Sequence, residues 1–185
     1  MSKRKPNNPI TKVRTGTGDS GTTFLRHPDI LKSDSLVHFV GDLDEANAFL
    51  GSCTLSFNNQ KFIEPIVECQ RVMFVIGAGV HTQDTDKLHK IDVNLDEFVN
   101  YCTDEIDYLQ KNFDVTPLTG FIYPDECNAS LMVTRAIVRR AERSAVASGC
   151  DWAVPALNAM SDLIFTMAWV VSSESEFHTW DSIDD

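Results

Sequence analysis

The chain is short of positive charge, with 16 Lys and Arg against 27 Asp and Glu and a formal net charge of -11 over 185 residues. Such a field works against general nucleic-acid binding, so the few cations are expected to serve something small. Histidine is equally sparse. His27, His38, His81, His89 and His178 form no i,i+4 pair and no H-E-x-x-H, which argues against a protein-built metal cage. The five cysteines (Cys53, Cys69, Cys102, Cys127 and Cys150) are odd in number, widely spaced and never in C-x-x-C. Neither a disulfide framework nor a zinc knot is expected from them, and a reduced, cytoplasmic setting is. Apolar runs such as VMFVIGAGV (Val72–Val80) stop well short of the roughly 20 residues of a membrane span, so a soluble protein is expected. The opening MSKRKPNNPITK has no apolar h-region, and no secretory signal is expected.

What is present is an ordinary globular balance, 43% hydrophobic and 23% charged, enough for a sizeable core. A flexible segment 1–13 followed by a single helical domain over 14–185 is the expected organisation. Beyond residue 34 apolar positions recur with helical period, and no alternating run reads as a strand. The period predicts helices near 34–57, 61–82, 94–113, 125–148 and 155–175. In the third, Leu95, Phe98, Val99, Cys102, Ile106 and Leu109 follow one face, and Asn94 with Glu97 offers a capping-box-like start. The breaks NNQ, DTDKLHK, TPLTG and SGCDWAVP fall between them. The last helix is apolar on nearly all sides except for Asn158, Ser161 and Asp162, which share a stripe and need partners if buried.

Before the first helix stands RTGTGDSGTTFL (Arg14–Leu25). Gly16, Gly18 and Gly21 match G-x-G-x-x-G, but KVR precedes them where a dinucleotide fold needs a buried strand. Thr22 stands where a P-loop needs lysine. What survives is a loop whose backbone N–H groups can turn toward an anion, with hydroxyls at Thr15, Thr17, Ser20, Thr22 and Thr23; a plain linker is the competing reading.

The second feature is TRAIVRRAERS (Thr134–Ser144), four arginines in an acidic chain. On a helix Arg135, Arg139, Glu142 and Arg143 fall within an arc of about 100°. Ile137, Val138, Ala141 and Ala145 occupy another, and Arg140 points away from both. A solvated face is one explanation. Arginine throughout suits bidentate binding of phosphate or carboxylate instead. Asp44, in the otherwise apolar GDLDEANAFLG (Gly41–Gly51), would be costly if left unpaired and is expected to meet an arginine.

Together these runs resemble the PduO-type ATP:cob(I)alamin adenosyltransferases. The resemblance rests on TGTGDSGTT (Thr15–Thr23), Lys32, DEAN (Asp44–Asn47), FIYP (Phe121–Pro124), RAIVRRAER (Arg135–Arg143) and LNAMSDLIF (Leu157–Phe165), in order across about 13–175. It implies an all-α, five-helix bundle of ferritin-like up-down type assembling as a homotrimer, with ATP between subunits. The implied reaction attaches the 5′-deoxyadenosyl group of ATP to cob(I)alamin and releases triphosphate. Mg²⁺ would accompany the ATP, and a reductase would supply the electron. In this picture Thr15, Gly16, Thr17, Gly18, Gly21, Thr22, Thr23 and Lys32 wrap the triphosphate, and Arg139, Glu142 and Asn158 complete the nucleotide site. Arg135 pairs with Asp44 across the interface, and Phe121 lies under the corrin ring. Gly16 stands where the family usually has a basic residue, and the segment after FIYP is short. A non-catalytic cobalamin or nucleotide carrier on the same bundle is the alternative.

Overall fold

The computed structural model describes residues 16–81, 94–113, 120–121, 128–172 and 178–179. Five long helices carry the fold: α1 (Ser35–Cys53), α2 (Gln60–His81), α3 (Leu95–Asn112), α4 (Ala129–Ala147) and α5 (Val154–Val171). These lie within a few residues of the expected spans; 1–15, the stretch 82–93 and the segment 122–127 fall outside the described residues. The fold class is the expected all-α bundle. Helix α1 packs against α2 and α4, and α5 packs against α4 and α3, whereas α2 and α3 barely touch.

Local chemistry sets the boundaries. Asp34 caps α1, its carboxylate accepting the Leu36 N–H at 2.8 Å. Asn94 caps α3 by accepting the Asp96 N–H at 2.9 Å, and its amide reaches Glu97 Oε1 at 3.5 Å, the expected capping-box arrangement. Gly149, at φ 70°, takes the left-handed position after α4, where an L side chain would be strained. Of the expected α3 face, Phe98, Cys102 and Leu109 are buried, and Leu95, Val99 and Ile106 pack at its margin.

Helix α5 is the bundle's most apolar element, with Leu157, Met160, Leu163, Ile164, Met167 and Ala168 all buried. By length and composition, the stretch Asp151–Val171 could cross a membrane, and half of its most apolar window is instead buried inside the bundle. Its polar stripe is less enclosed than the sequence suggests. Asn158 and Asp162 are exposed, and only Ser161 is buried, its hydroxyl donating to the Asn158 carbonyl at 2.9 Å. Cys53, Cys69, Cys102 and Cys150 are free thiols in the core. Burial, with Asp162 and Glu105 nearby, pushes the Cys102 thiol up to about 12, so it packs as a small apolar group.

The expectation of no strands is corrected. Residues before α1 form an antiparallel hairpin, β1 (Thr22–Leu25) with β2 (His27–Leu31), and β3 (Gly120–Phe121) pairs with β4 (His178–Thr179). The hairpin escapes pattern reading because only Leu25 and Ile30 are buried, while Phe24 and Leu31 face solvent and Pro28 interrupts the run. Arg26 and Asp29 also adopt positive φ, 53° and 61°, which a strand pattern does not anticipate.

Asp34→Ala removes the α1 cap and should cost about 1 kcal/mol, lowering Tm by roughly 2–4 °C. Thermal unfolding followed by circular dichroism checks this; an unchanged Tm would show that the cap contributes nothing.

Candidate functional site

The glycine loop is a folded structure and not a linker. Gly16 and Gly21 sit at φ 73° and 84°, and two successive turns close as Asp19 N–H donates to the Gly16 carbonyl and Gly21 N–H to the Gly18 carbonyl, each at 3.2 Å. Lys32 N–H then donates to the Gly21 carbonyl at 2.9 Å, joining the loop to the end of β2. The hydroxyls of Ser20 and Thr22 are bonded at 3.1 Å.

Gly18 explains the position of the lysine ammonium. A Cβ added at Gly18 would lie 2.9 Å from Lys32 Nζ and 3.2 Å from Cε, so the side chain lies directly over the glycine backbone. An exposed ammonium therefore stands beside Ser and Thr hydroxyls at a glycine turn, which is the donor set a polyphosphate needs. Thr17 is exposed and Thr23 half-buried in the same unit. Thr15 lies outside the described residues.

The second group is on α4. Ile137, Val138, Ala141 and Ala145 are buried as expected, which turns Arg135, Arg139 and Glu142 to a half-buried edge and leaves Arg143 exposed, its Nη1 donating to the Arg139 carbonyl at 2.9 Å. Arg135 lies over the Phe165 ring with its guanidinium carbon 4.8 Å from the centroid. Its Nε is buried and has no hydrogen-bond partner among the described residues. Burial lowers its pKa, Arg139 adds to the effect and Asp162 opposes it; a guanidinium remains charged under such a load. Asn158 is exposed on the neighbouring α5.

Arg140 points away from both arcs, as expected, and meets α1: its Nε donates to Asp42 Oδ1 at 2.9 Å, its Nη2 pairs with Glu45, and Ser144 also donates to Asp42. This is the α1–α4 ion pair. Asp44, in contrast, is exposed within the chain, because α1 has a solvent side and Asp44 stands on it. It lines a groove of about 480 Å³ between α1 and α2, with Asn47, Phe74 and His81. Asn47 Oδ1 is buried there without a hydrogen-bond partner among the described residues, and Phe74 is 76% exposed. A larger concavity of about 580 Å³ between α2 and α3, lined by Glu64, Glu68, Arg71 and Tyr101, includes none of the candidate residues. Sequence reasoning missed Phe165 beneath Arg135 and the anchoring of the hairpin by Arg26; the first was readable as the aromatic ending the LNAMSDLIF run.

The profile of the cobalamin adenosyltransferase family matches residues 13–171. The chain belongs to that family. The corrinoid adenosyltransferase of Citrobacter freundii is 31% identical over 170 residues, covering 85% of this chain and 93% of its own. That of Mycobacterium leprae (strain TN) is 29% identical, with 90% and 94% covered. Among solved structures, a variant PduO-type ATP:corrinoid adenosyltransferase from Lactobacillus reuteri, complexed with cobalamin and ATP, is 25% identical with a TM-score of 0.75, covering 86% of this chain and 92% of that one. The chain carries its glycine turns and Lys32 at the hairpin and its guanidinium groups on α4. Phe121 lies in β3, its backbone paired with His178.

Gly18 has no positive φ, so Gly18→Ala should leave stability within about 0.5 kcal/mol of wild type while pushing Lys32 aside. Titration with inorganic triphosphate should show weakened binding alongside an unchanged Tm. Equal triphosphate affinity in the two proteins would mean that Lys32 is not placed by Gly18.

Proposed function

We propose that this chain is an enzyme that transfers the 5′-deoxyadenosyl group of ATP to cob(I)alamin, forming adenosylcobalamin and releasing triphosphate. The observation that carries the reading is the Lys32 ammonium lying over Gly18 in a loop of turned backbone and hydroxyls, in a chain whose family profile is that of cobalamin adenosyltransferases.

The chemistry asks little acid–base work of the protein. The cobalt(I) centre supplies the electron pair and attacks the ribose C5′; the carbon–oxygen bond breaks, and triphosphate leaves with that bond's electrons. The protein must hold the reactants in line and stabilise the leaving charge. In our reading Gly16, Thr17, Gly18, Gly21, Thr22, Thr23 and Lys32, with Thr15 before them, receive the triphosphate. Arg139, Glu142 and Asn158 complete the nucleotide site. Phe121 lies under the corrin ring, where an aromatic excludes water from the lower face of cobalt and eases its reduction.

Among the described residues no group of three His, Cys, Asp or Glu could hold a metal. Magnesium fits as a cation carried by phosphate oxygens and water, with the Ser20 and Thr22 hydroxyls and the Glu142 carboxylate available to its hydration shell. It would neutralise charge on the leaving triphosphate.

Assembly as a homotrimer completes the proposal. Arg135 has a buried, unpaired Nε at the α4–α5 edge, and Asp44 borders a groove at the α1–α2 edge. Two complementary features on different edges of one subunit favour a head-to-tail contact that closes into a ring, with Arg135 of one subunit meeting Asp44 of the next. Delivery of the electron is assigned to a separate reductase, and the setting to a reducing cytoplasm, which suits four buried free thiols.

Incubation with ATP and chemically reduced cobalamin tests the activity through product absorbance and triphosphate release; ATP binding without turnover would overturn it. Arg139→Ala should weaken MgATP binding at least about tenfold. Arg140→Ala should leave MgATP binding unchanged and cost about 1 kcal/mol of stability, since its partners are Asp42 and Glu45. Similar ATP affinities in the two variants would sink the assignment of Arg139. For the assembly, Asp44→Asn should reduce the mass measured by light scattering from trimer toward monomer, with a loss of about 3–5 kcal/mol where the pair is buried between subunits. Helical content should persist because Asp44 is exposed within the subunit. A wild-type monomer would refute the trimer.

A further inference from the structure

The hairpin that carries the glycine loop cannot hold its own position, because an isolated two-stranded ribbon is marginal in water. Leu25 and Ile30 bury themselves in the core and hold it down. Apolar burial is non-directional, so those two contacts fix where the hairpin rests better than the angle at which it stands. The angle is set at the closed end. Arg26 stands between the paired residues Leu25 and His27 at φ 53°, a conformation arginine seldom takes. This turn aims the guanidinium into the bundle: Nε donates to the Val80 carbonyl at 2.7 Å, and Nη2 reaches Cys150 Sγ at 3.9 Å.

Both contacts are at helix ends. Val80 is in the last turn of α2, where carbonyls lack helical partners and the helix end attracts a cation. Cys150 is buried in the connection from α4 to α5, the helices that carry Arg139, Glu142 and Asn158. At about 3.3 Å per residue, Arg26 lies roughly 15–20 Å along the hairpin from Gly21 and Lys32. A small tilt at Arg26 becomes an ångström-scale displacement at the loop, which a reaction built on positioning will feel.

We infer that Arg26 is a positioning residue for the nucleotide: it fixes the hairpin's angle on the bundle and so sets Gly18 and Lys32 in register with the arginine edge of the site. The inference rests on the reading of the glycine loop as the triphosphate site. It concerns no contact between Arg26 and substrate.

Arg26→Gly is the decisive variant, because glycine takes the left-handed turn freely while removing both contacts. In the full-length protein, calorimetric titration should show MgATP binding weakened about tenfold, the scale of one charge-assisted hydrogen bond. KM for ATP should rise in parallel, with kcat at saturating ATP and the affinity for cobalamin unchanged. Arg26→Lys, which keeps a cationic donor toward Val80, should recover most of the ATP affinity. A wild-type ATP affinity in Arg26→Gly, whatever its Tm, would overturn the inference, as would equal losses of ATP and cobalamin binding. Failure of the wild-type protein itself to bind MgATP would overturn the nucleotide reading and this inference with it.

Discussion

The arrangement depends on how α4 is rotated, and its buried face sets that rotation, with one ion pair to α1 in the same phase. Arg140 reaches across to Asp42 and Glu45 on α1, and Ser144, one turn on, donates to the same Asp42. Successive residues on a helix are separated by about 100°, so with Arg140 and Ser144 facing α1, Arg139 and Arg135 face away from it. The buried stripe Ile137, Val138, Ala141 and Ala145 agrees with the same phase. An acidic chain thus pairs one arginine of α4 internally and keeps two others on an edge where a polyanion or another subunit can meet them. Were Arg139 in the place of Arg140, the nearby carboxylates would neutralise it.

The helical part of this fold was legible because the period of apolar residues reports burial, and burial is what the bundle organises. The α4 core stripe and the Asn94 cap follow from spacing alone. A helical wheel gives directions but not what stands opposite, and so it left the partners of Arg140 unnamed and set Asp44 in an apolar helix. Asp44 has apolar neighbours in sequence, but Leu43 and Ala46 face the core while Asp44 faces out. The hairpin was illegible for a different reason: two buried residues among ten give no alternation, and its turn uses an arginine where glycine or asparagine would have marked it. The glycines of the loop were visible, and their use became clear only when Gly18 was found beneath Lys32.

The candidate site is divided between two kinds of scaffold. Arg135, Arg139 and Glu142 project from a helix packed on both sides, where position is set by the core. Lys32 and the glycine turns belong to a hairpin held by two apolar side chains and one guanidinium. Rigid helices suit the groups that must bear charge steadily, and a pinned ribbon suits a loop that must admit and release a polyphosphate. Arg26 joins the two because one of its contacts, Cys150, follows the helix that carries the first group.

The same division bears on how a subunit with net charge -11 accepts so negative a substrate. Long-range attraction is not available, since the field of the chain opposes the approach of ATP. Binding must come from short-range contacts: backbone N–H groups, hydroxyls, one ammonium and a few guanidiniums, each worth most where water is displaced. In the proposed complex, magnesium would lower the charge that arrives. Between subunits, a guanidinium with an unpaired buried Nε and a carboxylate at a groove would bring local charges together and remove them from water. An acidic exterior and a cationic seam are therefore compatible, because salt and distance screen the first far more than the second.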